Sequence, residues 1–138
     1  MIRFDKLTEG AQELFHEAQD LLTRYKHNQL DVEHIFTVLV TKEGVGRNIL
    51  QEMGVNLAGL AKDLDVLLKD KPTVSGPIGT QIYITPRLDT VVSGAQMEAE
   101  RLHDEYIGVD HLLLSIARAT DAKLKRVLDR HRITPEAI

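Results

Sequence analysis

Two six-residue stretches decide how this sequence folds: Leu30-Asp31-Val32-Glu33-His34-Ile35 and Ile107-Gly108-Val109-Asp110-His111-Leu112. Each holds an aliphatic residue, a turn or cap residue, a valine, a carboxylate, a histidine and a second aliphatic residue, in that order, and they lie 77 positions apart. Working outward at the same shift, Leu7-Thr8 falls on Ile84-Thr85, Ala18-Gln19 on Ala95-Gln96, and Arg24 on Arg101. A shift of 78 then lays Ile49-Leu50 on Val127-Leu128 and Val55-Asn56 on Ile133-Thr134. An offset held across aliphatic, cap and histidine positions marks an internal repeat.

Each copy reads as the same run of helices. Thr8 is a side-chain N-cap candidate, and Leu7, Ala11, Leu14, Phe15, Ala18 and Leu22 follow at helical spacing. Its counterpart Thr85 precedes Pro86, whose fixed φ suits the first helical position, and Ile84, Leu88, Val91, Val92, Ala95, Ala99 and Leu102 continue that stripe. Asp31 opens the next helix with Val32, Ile35, Phe36 and Leu39 inward; Val109, Leu112, Leu113 and Ile116 match them. Gly44 and Gly46 punctuate before a short helix that Gly54 ends. Asn56 caps a fourth helix carrying Leu57, Leu60, Leu64, Leu67 and Leu68, and Thr134-Pro135-Glu136 starts its equivalent. By the repeat that last helix would run about ten residues past Ile138, so the chain is expected to be a fragment cut inside a helix. Lys71 to Gly79 is a loop by its Pro, Gly and Ser content, and Ile82-Tyr83-Ile84 is a candidate extended lead into Thr85. The expected fold is all-α: two pseudo-twofold-related four-helix repeats, about residues 4–70 and 82–138, joined by linker 71–81 and packed as one domain.

Composition agrees. The chain has 138 residues, 43% hydrophobic and 28% charged, an ordinary globular balance. Aromatics are 4% with no Trp, so the core must be Leu, Val, Ile and Ala, a palette that suits closely packed helices. A net charge of −4 argues against a nucleic-acid backbone as partner. Without Cys there is no disulfide framework, thiolate metal site or Cys nucleophile. The opening Met1-Ile2-Arg3-Phe4-Asp5-Lys6 lacks an apolar signal core, and no run is long enough to span a membrane. These features predict a soluble cytoplasmic protein without membrane partners.

No catalytic constellation emerges. There is no phosphate-binding Gly-rich loop ending in Lys, and Gly44-Val45-Gly46-Arg47 reads as a hinge between helices. The six histidines contain no metal-binding pair, and His34 and His111, each third in its helix, read as packing or capping residues. Ser75, Ser93 and Ser115 have no base beside them in sequence. The pairs Thr8 with Glu33 and Thr85 with Asp110 stand out: a hydroxyl starts one helix and a carboxylate lies in the first turn of another. One reading is capping alone. The other is an acidic pocket, present twice, that receives a cationic side chain of a partner.

On these residues the chain resembles the N-terminal double repeat of the Clp AAA+ unfoldases. Leu7-Thr8-Glu9-Gly10-Ala11-Gln12, Ala18-Gln19 and Val32-Glu33-His34-Ile35 are similar to its first half. Tyr83-Ile84-Thr85-Pro86-Arg87, Ala95, Glu98-Ala99 and Tyr106 through Leu114 are similar to its second, and the likeness runs from about Phe4 to the end. It implies a non-catalytic, mobile antenna that recognises unfolded or aggregated substrates or adaptor proteins above a homo-hexameric ATP-driven threading ring. ClpB-like members rescue aggregates. ClpC-like members feed a peptidase and take phosphoarginine-marked proteins. The resemblance places recognition on Thr8, Glu33, Thr85 and Asp110, with Asp104 added from ClpB-like members. It implies no cofactor in this chain, ATP and Mg²⁺ belonging to ATPase modules that it lacks. Asp110 stands where the family has Glu, and the loop after Arg118 is shorter than that from Lys42 to Gly46, so the second site is expected to bind more weakly. Two other readings are a stand-alone double-repeat subunit docking on a Clp protease complex and, from scattered carboxylates alone, a small hydrolase.

Overall fold

The computed structural model of the chain describes residues 3–75, 82–119 and 121–138. Five of its α-helices begin where a side-chain oxygen meets a free backbone N–H, and α3 and α6 begin at glycines. Thr8 Oγ1 accepts the Ala11 N–H at 3.2 Å to open α1 (Glu9–Arg24), after which Asp31 starts α2 (Val32–Thr41). Gly44 precedes α3 (Val45–Glu52), and Asn56 accepts the Gly59 N–H to open α4 (Leu57–Lys69). In the second copy Thr85 Oγ1 accepts the Leu88 N–H at 3.1 Å at the head of α5 (Pro86–Arg101). α6 (Val109–Ala117) follows Gly108, and Asp121 caps α7 (Ala122–Arg130).

The helix ends repeat as well. Lys26 and His103 take left-handed backbone angles (φ 59° and 61°), and the next N–H reaches back in each case, His27 to Leu22 O and Asp104 to Ala99 O. Gly54 (φ 81°) and Arg132 (φ 56°) end α3 and α7 in the same way, Val55 donating to Leu50 O and Ile133 to Leu128 O. These are Schellman-type endings, and they fall at the two shifts, 77 and 78, that align the sequence.

α2 lies at the centre. Nine of its ten residues are buried, including Glu33 and His34, which is the burial of a helix enclosed on all sides. α1 and α4 cover it, α5 covers α6, and α2 meets α6 where the copies join. Gly46, read above as punctuation, lies inside α3. A Cβ there would fall 2.6 Å from Leu39 Cδ2 and 3.0 Å from Val109 Cγ1, so glycine lets α3 close on both central helices.

Two short elements bear on the sequence reading. The fourth helix of copy two, expected to start at Thr134 and to be cut short, is a single 3-10 turn, Pro135–Ala137, capped by Thr134. Only four residues follow that cap, fewer than a stable helical nucleus needs. The other is a pair of strands. β1 (Gln29–Leu30) runs parallel to β2 (Tyr83–Ile84), with Leu30 opposite Ile84, and an isolated bridge joins Leu7 to Ile107. Shifting Leu7 and Leu30 by 77 gives Ile84 and Ile107, so one contact is made twice and each time it links one copy to the other. The extended lead at residues 82–84 was legible, although residue 81 and the linker segment 76–80 lie outside the described residues.

Candidate functional site

The crossed strands set which side chains meet. The Thr85 N–H donates to Leu30 O at 3.1 Å and the Thr8 N–H to Ile107 O at 3.0 Å. Thr85 therefore stands at the head of α2, beside Asp31 and Glu33, and Thr8 stands at the head of α6, before Asp110. The pairing of Thr8 with Glu33 and of Thr85 with Asp110 is corrected to its exchange across the copies, because each helix-start threonine is carried by a strand that pairs with the opposite copy.

The notch at the head of α2 is filled from within. Thr85 Oγ1 donates to Asp31 Oδ1 at 2.8 Å, and Asp31 Oδ1 also accepts the Val32 N–H at 2.8 Å. Arg87 grips Glu33 with both terminal nitrogens (3.2 and 2.9 Å) and reaches Asp31 Oδ2 at 2.9 Å. Lys71, at the end of α4, lies 2.9 Å from Asp31 Oδ2 and 3.0 Å from Glu33 Oε1. Asp121 closes the far side of Arg87 at 3.4 Å. The two acid side chains are only 10% and 4% exposed. Burial alone would raise the Asp31 carboxyl, but Lys71, the Val32 N–H and Thr85 together hold it below the ordinary 3.8. Burial likewise works against charge on Lys71 and Arg87, and their carboxylate partners outweigh it, raising both. This is a bidentate, desolvated ion cluster joining α2, the end of α4 and α5.

The notch at the head of α6 keeps the threonine and the histidine but differs at its charged positions. Gly10 takes the place of Arg87, Gly108 that of Asp31, and Asp110 that of Glu33. A Cβ on Gly108 would fall 2.6 Å from Asp110 Oδ1, so the shorter acid folds back over the space in which Asp31 begins its side chain. Asp104 and Asp110 are half exposed, at 50% and 48%, and among the described residues neither has a Lys or Arg partner.

The histidines behind the notches share one geometry. The Asp31 N–H donates to His34 Nδ1 at 3.0 Å and the Gly108 N–H to His111 Nδ1 at 2.8 Å, so both rings carry their proton on Nε2. His34 Nε2 then donates to His27 Nδ1 at 2.9 Å, and His111 Nε2 to Asp104 Oδ2 at 2.8 Å. Burial, then His27 and Lys71, push His34 down to about 4. The capping role read for His34 and His111 is what these bonds provide.

Of the five recognition residues read from sequence, Thr8, Asp104 and Asp110 gather around the start of α6, and Glu33 and Thr85 gather around the start of α2. The residues that reading missed are Asp31 as more than a cap, Lys71, Arg87 and Asp121. Arg87 had a signal in the repeat, since its counterpart Gly10 has no side chain. Lys71 had none, because its counterpart would fall beyond Ile138.

Beside each notch runs a groove, and the grooves correspond under the repeat. One, about 560 Å³, includes Val32, Thr90, Val91 and Ser115; the other, about 210 Å³, includes Val109, Glu13, Leu14 and Val38 at the same positions. No group of three His, Asp or Glu side chains that could hold a metal occurs among the described residues. No helix among them is long and apolar enough to cross a membrane.

Crossed helical repeats with a polar notch at the head of each central helix define an all-α tandem-repeat domain. The chain belongs to the family of Clp repeat N-terminal domains, which it matches over residues 6–131. It is 33% identical over 96% of its length to the chaperone protein ClpB of Bacillus anthracis, and 37% identical over 78% to that of Nitratidesulfovibrio vulgaris. It spans only 16% and 13% of those relatives' lengths. The fold is similar to the Hsp104 N-terminal domain from Candida albicans (TM-score 0.80, 16% identity, 96% of this chain and 85% of that one). It is also similar to the ClpV N-domain in complex with a VipB peptide (TM-score 0.73, 18% identity, 96% and 82%).

Proposed function

We propose that this chain is the partner-recognition domain of a ClpB-type ATP-driven unfoldase, and that its receptor for a cationic partner side chain is the notch at the head of α6. The observation that carries this reading is the contrast between the notches. Asp31 and Glu33 already hold Lys71 and Arg87, whereas Asp104 and Asp110 stand half exposed with no cation beside them. A partner's Arg or Lys reaching Glu33 would have to displace a bidentate internal bond, but at Asp110 it displaces water. The filled notch is thus a clamp between the copies, and the second copy is the stronger receptor. Thr8 belongs to the receptor; Thr85 and Glu33 belong to the clamp. The partners are unfolded or aggregated proteins, or adaptors, presenting basic or phosphoarginine-marked segments. Binding is this chain's part. ATP and Mg²⁺ chemistry falls to the ATPase modules of a hexameric parent in the cytoplasm.

Titration of a fluorescent arginine-containing peptide tests the reading. Asp110→Asn and Asp104→Asn are expected to weaken binding about tenfold each, near 1.4 kcal/mol, without lowering the unfolding midpoint. Glu33→Gln is expected to leave affinity unchanged and cost about 3 kcal/mol of stability, by taking from Arg87 its bidentate partner and from Lys71 one of its two carboxylates. The reverse pattern, affinity lost with Glu33→Gln and kept with both aspartate variants, overturns the assignment.

A further inference from the structure

α7 is the most basic element of an otherwise acidic chain: Lys123, Lys125, Arg126 and Arg130 lie on its nine residues, and His131 and Arg132 follow. Its buried residues, Leu124, Val127 and Leu128, are those that hold it to the rest of the fold. Where α7 lies against α4 an open groove of about 660 Å³ remains. Its apolar part is Val66, Leu67 and Val127, and Val66 is 63% exposed. Its charged rim has four cations, Lys69, Lys123, Arg126 and Arg130, against two carboxylates, Asp63 and Asp70.

The carboxylates are already engaged. Asp63 accepts from Arg130 at 3.0 Å and from His131 at 2.7 Å, and Asp70 from Lys123 at 2.7 Å. Lys69 pairs with Asp65 at 3.0 Å. Arg126 has no acidic partner among the described residues, so with Lys69, Lys123 and Arg130 paired the rim keeps one positive charge unneutralised in a chain of net −4. An exposed aliphatic floor inside a cationic rim fits a ligand of the complementary build, an apolar anchor flanked by carboxylates.

From this we propose that the α4–α7 groove is a second docking surface, taking an acidic amphipathic segment of a partner protein. It shares no residue with either notch or with the grooves beside them, so it goes beyond the receptor proposed above and stands independently of it. The two surfaces have opposite charge preference. A partner with a basic segment and an acidic helix could occupy both, gaining affinity from the joint engagement.

The test is nuclear magnetic resonance titration of the whole 138-residue chain with a short synthetic leucine–glutamate peptide patterned as an amphipathic helix. Its twin carries glutamine in place of glutamate. The acidic peptide is expected to shift resonances of α4 and α7, to bind at least tenfold tighter than its twin, and to weaken as salt is raised. Arg126→Glu and Val66→Glu, both at exposed positions, are expected to reduce its affinity about tenfold each while helicity and midpoint are unchanged. Shifts confined to the notches, equal binding of the twin, or no binding overturns the proposal. So does preferential binding of α7 to phosphatidylglycerol vesicles, which would make this face a membrane surface.

Discussion

His34 shows how a single side chain can fix a dependence on pH. Its Nδ1 is committed to the Asp31 N–H and its Nε2–H to His27, and it is fully buried, so no site remains for a second proton. Asp31 and Glu33 favour the charged ring but do not outweigh burial, His27 and Lys71, and the value falls from 6.5 to about 4. His27 is lowered in the same direction, by burial first and Lys71 next. In the unfolded chain these rings gain protons below about pH 6.5, which the folded chain refuses until about pH 4 for His34. Stability is therefore full above pH 6.5 and declines between 6.5 and 4, by roughly 3 kcal/mol from His34 alone. The Asp31 contribution runs later, being present above 3.8 and lost below it. Urea unfolding across that range is expected to show the decline, and His34→Gln to flatten it. An unchanged slope in the variant would exclude His34 as its source. At this scale the sequence was only partly legible. The caps at Thr8, Asp31, Asn56 and Thr85 rest on local rules and could be read directly. The ion cluster could not, because Lys71 and Arg87 lie 40 and 56 positions from Asp31 and no spacing rule joins them.

Between elements, contact distance is controlled by the smallest residues. Gly94 on α5 faces Ser115 on α6, and a Cβ there would fall 2.5 Å from Ser115 Oγ. That hydroxyl is itself fixed, donating to Val91 O at 2.6 Å. Gly94→Ala is expected to destabilise by about 1–3 kcal/mol through overpacking. With Ser115→Ala also present the cost should be clearly less than the sum of the two single changes. Strict additivity in chemical denaturation of the four proteins of that cycle would show that the two helices do not meet as described. Helix number, order and most inward faces were legible here, since amphipathic periodicity and cap residues act locally. What periodicity missed was the enclosure of α2, whose polar Glu33, His34 and Thr37 are buried with the rest. A helix covered on every side has no polar stripe, so its pattern marks only part of what is hidden. Of the two-residue strands the lead into Thr85 was legible and β1 was not, being too short to show alternation.

Across the whole molecule, the pseudo-twofold is made by crossed contacts and not by two finished halves laid side by side. Thr8 depends on Ile107 and Thr85 on Leu30, α3 rests on α6, and Arg87 of copy two closes the notch of copy one. Neither copy can complete its own helix-start strands. A chain ended after α4 is expected to lose most of its helical circular dichroism as a monomer, even though it contains four helices, three of them with side-chain caps. A cooperative thermal transition in that fragment at low concentration would contradict the crossed architecture. The repeat was legible from the constant shift, and so was the fold class. The crossing was not, because a shift relates equivalent positions without stating whether the equivalents touch within a copy or between copies.

The twice-made link of Leu7 to Ile107 and Leu30 to Ile84 also bears on origin. A contact that returns to itself under a half-turn is the signature of an isologous interface, as in a homodimer whose protomers exchange their leading strands. Fusion of two such genes would preserve the exchange while releasing each half from having to match the other. Any ancestral dimer would have had two identical clefts by symmetry. Only after fusion could the two clefts differ, as they do here with Arg87 on one side and Gly10 on the other.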